Sequence, residues 1–159
     1  IGYEKASKEN EADLIVVNMC SVRQSAVDRV YGKIKNFAKL KAQNLKFKTV
    51  LTGCILKKDK KKFAKKFDYV LSVKDLLKWH KVFSHKIDDR QFYEKKNYLN
   101  IESKYTNEFS AFVPISNGCN NACTYCAVPL TRGQLICRSH KKILEEAKNV
   151  IRKGFKEIW

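Results

Sequence analysis

Two apolar runs, each ending in a cysteine and each followed by a helical pattern, constrain the fold more than any other feature. The runs are ADLIVVNMC at 12–20 and KTVLTGC at 48–54. Continuous runs rich in β-branched residues are typical of strands that are covered on both faces. Because strand and helix patterns alternate with short connections, the sequence predicts an α/β fold with a parallel sheet flanked by helices.

The segments that follow these runs complete the pattern. Apolar residues at spacings of three and four predict a helix from Val22 to about Leu40, with Ser21 as its N-cap. A lysine-rich helix is predicted over 58–66, a third strand over 68–73 and a third helix over 74–83. The histidines of this last helix and its exit, His80 and His85, are expected at the surface.

The second half of the chain starts a new strand–helix unit. Residues 84–107 are polar and lack a sustained period, which predicts a linker with one short strand near Tyr98–Ile101. A strand is predicted over 108–116, an amphipathic helix over 141–154 and a further strand over 155–159. The predicted domains are therefore 1–83 and 108–159, joined by that linker.

The charge balance points to a polyanionic partner. The chain has 33 lysines and arginines against 16 acidic residues, a formal net charge of +17. Basic side chains that neutralise phosphates release counterions, so nucleic acid is the leading partner. Much of the excess lies in runs such as 57–66, which would equally suit a solvated helix face. No apolar run approaches the roughly 20 residues of a membrane span, so no membrane partner is expected.

The chain has six unevenly spaced cysteines, and its sequence shows no secretion signal. This combination predicts reduced cysteines that bind metal, and a cytoplasmic location. Three of them, Cys119, Cys123 and Cys126, form a C-x3-C-x2-C string after Gly118, which permits a sharp turn. Zinc and most iron–sulfur clusters take four protein ligands. The string therefore predicts either a zinc site completed by a distant residue or a 4Fe–4S cluster with one open iron.

For the zinc alternative, Cys137 and His140 are the nearby candidates for a fourth ligand. Cys20 and Cys54 raise a separate question, because each ends a predicted strand. Ligands of parallel sheets collect at the carboxyl ends of the strands, so we expect these two thiols at one edge. They are either cofactor ligands or buried structural cysteines.

The cysteine string resembles a known signature. With Tyr125 before its last cysteine, it is similar to that of the radical S-adenosylmethionine superfamily, and GCNNACTYCAVPLTRG resembles the methylthiotransferase family within it. NMCSVRQSA at 18–26 and TGC at 52–54 resemble two further boxes of that family. The resemblance covers about residues 10–159 and is weakest in the linker.

The resemblance implies two 4Fe–4S clusters. The three cysteines of the string would hold the cluster whose open iron binds S-adenosylmethionine, which is cleaved to a 5′-deoxyadenosyl radical. Cys20 and Cys54 would hold two sites of an auxiliary cluster, with a first cysteine expected before Ile1. Tyr125 and Arg132 would contact S-adenosylmethionine.

The implied fold is a truncated Rossmann-like parallel-sheet domain, followed by the first β–α–β of a radical S-adenosylmethionine, partial TIM-like barrel. Lacking one auxiliary ligand and most of the barrel, this stretch is expected to be inactive alone. The implied partners are tRNA and an electron donor such as flavodoxin or ferredoxin.

Val22, Arg23 and PLTRG at 129–133 resemble the branch that methylthiolates C2 of N6-isopentenyladenosine beside the tRNA anticodon. Branches acting on threonylcarbamoyl-adenosine in tRNA or on a ribosomal-protein aspartate are the alternatives. A zinc-stapled RNA-binding module is the alternative without catalysis.

The sequence leaves the family pattern after Gly133. Leu135 stands where the family has a glutamate, and Cys137–Ser139 stands where Ser-Arg-Pro is expected, with Ser139 a predicted N-cap. The arginine in this tripeptide, Arg138, is a candidate for pairing with an acid, with the S-adenosylmethionine carboxylate or with an RNA phosphate.

Overall fold

The structure, a computed structural model, divides into two compact units, Ile1–Ile87 and Asp88–Trp159. The described residues are 3–83, 98–101, 103–105 and 108–159. Most of the predicted linker, with His85, lies outside them.

A parallel three-stranded sheet forms the centre of the first unit. Its strands are β1 (Leu14–Cys20), β2 (Lys48–Cys54) and β3 (Tyr69–Val70), in the order β1-β2-β3. The register of β1 on β2 runs without a break from Leu14 opposite Lys48 to Cys20 opposite Cys54. The prediction of a parallel α/β sheet is therefore confirmed for this unit, and β2 has the predicted bounds.

Two helices connect these strands, α1 (Gln24–Gln43) between β1 and β2 and α2 (Lys57–Phe63) between β2 and β3. A short helix, α3 (His80–Phe83), follows β3, and two 3₁₀ turns occupy Glu9–Glu11 and Val73–Lys78. The apolar side chains of α1 and α2 pack against the strands in one core, which includes Met19, Val27, Val30, Phe37, Phe47, Leu51, Phe63 and Phe67. Among the residues described, no helix is long and apolar enough to cross a membrane.

The start of α1 differs from the prediction. Ser21 is not the N-cap, because its amide donates a hydrogen bond to the Cys54 carbonyl at 2.8 Å and so continues the β1–β2 ladder. The chain then turns, and Arg23 occupies the N-cap position without a side-chain cap bond. Ser21 is buried against the sheet instead.

The end of the first unit also departs from the prediction. The expected third helix is a 3₁₀ turn capped by Ser72, followed by the single turn α3. His80 is buried rather than at the surface, with 5% of its area exposed. The neighbouring lysines suggested an exposed face, but the change from 3₁₀ to α geometry alters which residues face the core.

The second unit begins with a β–α–β arrangement. Strand β4 (Ser110–Ala111) pairs in parallel with the last strand, β7 (Glu157–Ile158), and two further strands, β5 (Ser116–Asn117) and β6 (Ile136–Cys137), form an antiparallel pair. The predicted single strand over 108–116 is thus two short strands. Pro114 lies between them, and a proline has no N–H to donate to a ladder.

Helices α4 (Val128–Arg132) and α5 (His140–Arg152) complete this unit. Ser139 caps α5 as predicted, and Gly154 follows its end with φ of +89°. The helix buries Val150 against Ala111 and Val113. Residues Tyr98–Asn100 form a 3₁₀ turn, so the short strand predicted there is wrong.

Asp68 connects the sheet of the first unit to α1. The backbone amide and the hydroxyl of Thr49 donate to Asp68 Oδ2 at 2.8 and 2.7 Å, and Lys41 Nζ donates to Oδ1 at 2.7 Å. Partial burial favours the neutral acid, but the bonds from Lys41 and Thr49 outweigh it and hold the pKa of Asp68 below 3.8.

We expect Asp68→Asn to lower the free energy of unfolding at pH 7 by about 1–3 kcal/mol, because buried donors lose a charged acceptor. Since the folded pKa is depressed, this stabilisation is complete above the unfolded pKa and is lost as pH falls through the folded value. Denaturant titrations at pH 7 and in acid should therefore show the two proteins converging in acid. Asp75→Asn is the control, because Asp75 is exposed and lies 3.9 Å from Lys78. Equal losses in both variants would contradict this assignment.

Candidate functional site

The first candidate site is the thiol pair at the carboxyl edge of the parallel sheet. Cys20 and Cys54 are directly opposed in the β1–β2 register and both are half-buried. Neighbouring strands lie about 4.8 Å apart, and opposed residues of a parallel pair point to the same face. The expectation that these thiols lie together at one edge is confirmed, whereas their role as ligands remains a prediction.

Gly53 allows the two strands to meet at this edge. Its φ is +110°, and a Cβ at this position would lie 2.2 Å from the Met19 carbonyl oxygen and 2.4 Å from Asn18 Oδ1. Both distances are far below van der Waals contact, and the backbone atoms of β1 cannot move without breaking the ladder. The glycine before Cys54 is therefore a steric requirement of the thiol pair.

The surroundings of Cys20 favour its thiolate. Burial alone would raise the pKa of this thiol, but hydrogen bonds from the Val22 amide and from the Arg23 side chain and amide, together with the Arg23 charge, bring it below 9.0. The thiolate is the form that binds metal and reacts as a nucleophile. Arg23, predicted only as part of a family box, thus acts directly on the candidate ligand.

The second candidate site is the loop between β5 and α4. Cys119, Cys123 and Cys126 line one open cavity of about 600 Å³, together with Pro129, Leu130 and neighbouring loop residues. Cys123 is exposed and the other two are half-buried, and none of them forms a disulfide. The structure therefore brings the three predicted residues to one concave surface that remains open to solvent.

The strand pair at its base closes this loop. Below the β5–β6 ladder, the Cys119 amide donates to the Gly133 carbonyl at 3.0 Å, and the Leu135 amide donates to Asn120 Oδ1 at 2.9 Å. Gly118 has φ of +86°, and a Cβ there would lie 2.1 Å from the Gln134 carbonyl oxygen. The chain can make this close approach only with glycine at 118.

Two backbone amides make hydrogen bonds inside the loop, and one of them reaches a thiol. The Asn121 amide donates to Cys119 Sγ at 3.4 Å, and the Cys126 amide donates to the Cys123 carbonyl at 3.1 Å. Amides that point at cysteine sulfur stabilise thiolate ligands and tune cluster potentials. Asn120 and Asn121 were not predicted as site residues, although two asparagines after the first cysteine are a turn signal.

The cavity offers three cysteine thiols as its sulfur donors. In the described ranges, no three or more histidine, cysteine, aspartate or glutamate side chains stand close enough to hold one metal ion. Neither Cys137 nor His140, the candidate fourth zinc ligands, lines the cavity. A 4Fe–4S cluster takes each thiolate at a different iron, so three thiols around one cavity fit its requirement.

The two predicted S-adenosylmethionine contacts lie outside the cavity lining. Tyr125 is 90% exposed, and Arg132 is exposed in the last turn of α4. Leu135, which replaces the family glutamate, is also partly exposed at 45%. The cysteines are therefore brought together by the loop, while these three side chains remain at its outside.

Arg138 pairs with an acid, one of its three predicted alternatives. Its buried guanidinium lies 2.5 Å from Glu146 Oε2 and donates to the Pro114 carbonyl at 2.7 Å. Tyr105 donates its hydroxyl to Glu146 Oε1 at 2.9 Å, and burial together with this carboxylate raises the pKa of Tyr105. This network, which sequence reasoning did not identify, connects α5 to the segment that leads into the cysteine loop.

Comparisons with known proteins found a family match and several relatives. Residues 1–74 match the family described as "Uncharacterized protein family UPF0004". The chain is 31% identical over 170 residues to a protein of Desulfotalea psychrophila, 31% over 167 residues to one of Dictyoglomus thermophilum and 34% over 172 residues to one of Bifidobacterium adolescentis. Each alignment covers 99% of this chain, but only 38%, 38% and 35% of the respective relative.

This similarity over 99% of the chain agrees with the resemblance to the methylthiotransferase family that its motifs predicted. All three relatives bear the name tRNA-2-methylthio-N(6)-dimethylallyladenosine synthase. The chain spans a little over a third of the length of these relatives.

The Cys20 environment yields a test of pH dependence. Replacing Arg23 by Gln removes a hydrogen bond and a positive charge, so the pKa of the Cys20 thiol should rise and its alkylation at neutral pH should slow. Iodoacetamide labelling of the metal-free protein, followed by peptide mass spectrometry across pH, measures this shift. Arg29→Gln is the matched control, because Arg29 bonds the Ser25 carbonyl one turn along α1. An unchanged Cys20 profile in Arg23→Gln would refute the assignment.

Gly118 provides a test of the loop geometry. Gly118→Ala places a methyl group against the Gln134 carbonyl and should displace the loop, at a cost of about 1–3 kcal/mol. After anaerobic reconstitution, we expect less iron per chain than in the parent protein. Gly32→Ala is the control, because nothing lies within 4 Å of a Cβ at that helical position. Equal iron content in both variants would show that the loop does not need this close approach.

Proposed function

We propose that this chain is part of a tRNA methylthiotransferase that modifies C2 of N6-isopentenyladenosine beside the anticodon. The observation that carries the proposal is the convergence of Cys119, Cys123 and Cys126 on one open cavity. The name shared by the relatives supports the substrate, and the net charge of +17 suits an RNA better than a protein aspartate.

The cysteine loop would hold a 4Fe–4S cluster through its three thiolates. When bound, this cluster with S-adenosylmethionine supplies the radical needed to replace an unactivated C–H hydrogen, which no side-chain base removes. The Asn121 amide donates a hydrogen bond to Cys119 Sγ, and the close approach of Gly118 to Gln134 fixes the loop. The open side of the cavity would leave room for S-adenosylmethionine beside such a cluster.

Two residues near this loop are proposed to contact S-adenosylmethionine. An exposed aromatic ring such as Tyr125 is suited to stacking on an adenine, and the Arg132 guanidinium is suited to a carboxylate. Neither role requires these side chains to line the cavity, since the bound S-adenosylmethionine would extend beyond it.

The thiol pair at the sheet edge would hold part of an auxiliary 4Fe–4S cluster. Cys20 and Cys54 would supply two thiolates, and Arg23 lowers the pKa of the Cys20 thiol. In this proposal residues 1–83 form the auxiliary-cluster domain and 84–107 the linker. Residues 108–159 begin the barrel of the radical domain, and the β4–α5–β7 unit supports that assignment. An electron donor such as flavodoxin or ferredoxin and a cytoplasmic location complete the proposal.

The test is complementation of a strain that lacks the gene, with tRNA nucleosides analysed by mass spectrometry. The strain should lack 2-methylthio-N6-isopentenyladenosine, the intact gene should restore it, and Cys123→Ala should not. Cys137→Ala is the matched control, because Cys137 is an exposed thiol that does not line the cavity. It should restore the nucleoside.

Two results would reject this function. If the nucleoside persists in the strain without the gene, the substrate assignment fails. If the anaerobically purified protein holds one zinc ion and no sulfide, the loop is a zinc-stapled module rather than a cluster site.

A further inference from the structure

A dense group of exposed lysines covers α2 and the turn that follows it. Within residues 57–66 all seven lysines are exposed, whereas the one acidic residue, Asp59, is buried with 5% of its area exposed. Phe63 and Phe67 anchor the segment in the core. We call this surface the lysine face; it consists of Lys57, Lys58, Lys60, Lys61, Lys62, Lys65 and Lys66.

The lysine face lacks the acidic partners found elsewhere in the first unit. Lys33 pairs with Glu9, Lys41 with Asp68 and Lys78 with Asp75. No lysine of the face forms an ion pair with any residue that the structure describes. Like charges three and four positions apart on a helix repel each other, so α2 keeps an unfavourable charge pattern that a bound polyanion would relieve.

The position of the face relates it to the thiol pair. Helix α2 begins at Lys57, shortly after Cys54 ends β2. In a strand–helix unit of a parallel sheet, the carboxyl end of the strand and the start of the helix lie at the same edge. The lysine face therefore begins at the edge where Cys20 and Cys54 are opposed.

We propose that the lysine face binds the phosphate backbone of RNA and holds it beside the thiol pair. The inference rests on the proposed function and names where its RNA is held. The chemistry favours RNA over an acidic protein, because apart from lysine the only exposed residue in this segment is Ala64. Protein interfaces have an apolar, aromatic core and are depleted in lysine, whereas phosphate contacts need only flexible cations. Such contacts position the nucleic acid without reading its sequence.

The experiment compares two triple variants of the purified protein for binding to an in vitro transcribed tRNA at several salt concentrations. One is Lys60→Gln/Lys61→Gln/Lys62→Gln. The other removes the same charge at exposed lysines elsewhere in the first unit, Lys5→Gln/Lys8→Gln/Lys46→Gln. Each phosphate contact contributes about 0.7–0.9 to the slope of log affinity against log salt. The first variant should reduce that slope by about two and weaken binding about tenfold or more at 0.15 M salt, and the second should change the slope by less than about one.

Thermal melts should show both variants folded, since every replaced side chain is exposed. Equal loss of tRNA affinity in the two variants would overturn the proposal in favour of general attraction by net charge. Unchanged tRNA binding would overturn the proposal. If, in addition, an acidic electron-transfer protein reduced the 4Fe–4S clusters more slowly only in the first variant, the face would bind a protein partner instead. Failure of the proposed function would be a separate result, because 2-methylthio nucleosides would then persist in the tRNA of a strain that lacks the gene.

Discussion

The parallel pairing of β1 with β2 is the constraint on which the first unit depends. Seven consecutive residue pairs align the strands, and the last pair is formed by the two cysteines. The ladder extends one step further through the Ser21 amide, and it can close there only because Gly53 has no side chain. Packing of α1 and α2 on this sheet and the placement of the thiol pair both follow from that one register.

The cysteine loop of the second unit shares one backbone feature with the sheet edge of the first unit. A glycine with positive φ comes directly before a cysteine in both sites, at Gly53 and at Gly118. In each case a Cβ would collide with backbone atoms of the neighbouring segment. In both sites the close approach of two backbone segments fixes where the thiols lie, without a disulfide.

Local patterns predicted most of this architecture, and long-range contacts account for what they missed. The bounds of β2, the cap at Ser139 and the opposed cysteines follow from apolar periodicity, N-cap chemistry and the geometry of parallel sheets. Ser21 failed as a cap because its amide is taken by a residue far along the chain. Pairing of Arg138 with an acid was one of the predicted alternatives, but the partner Glu146 and the participation of Tyr105 could not be predicted, because no periodic pattern shows which charged side chains are buried together.

The base of the cysteine loop is a ladder of only two residue pairs, Ser116 with Cys137 and Asn117 with Ile136. So short a ladder can open locally at a free energy well below that of global unfolding. A chain without its cluster would then present several thiols to solvent at once, with the exposed Cys137 on the strand that separates. Because Cys123 and Cys137 are exposed even in the closed hairpin, oxidation of the metal-free protein in air will begin at these two thiols, and opening of the hairpin will add the half-buried Cys119 and Cys126.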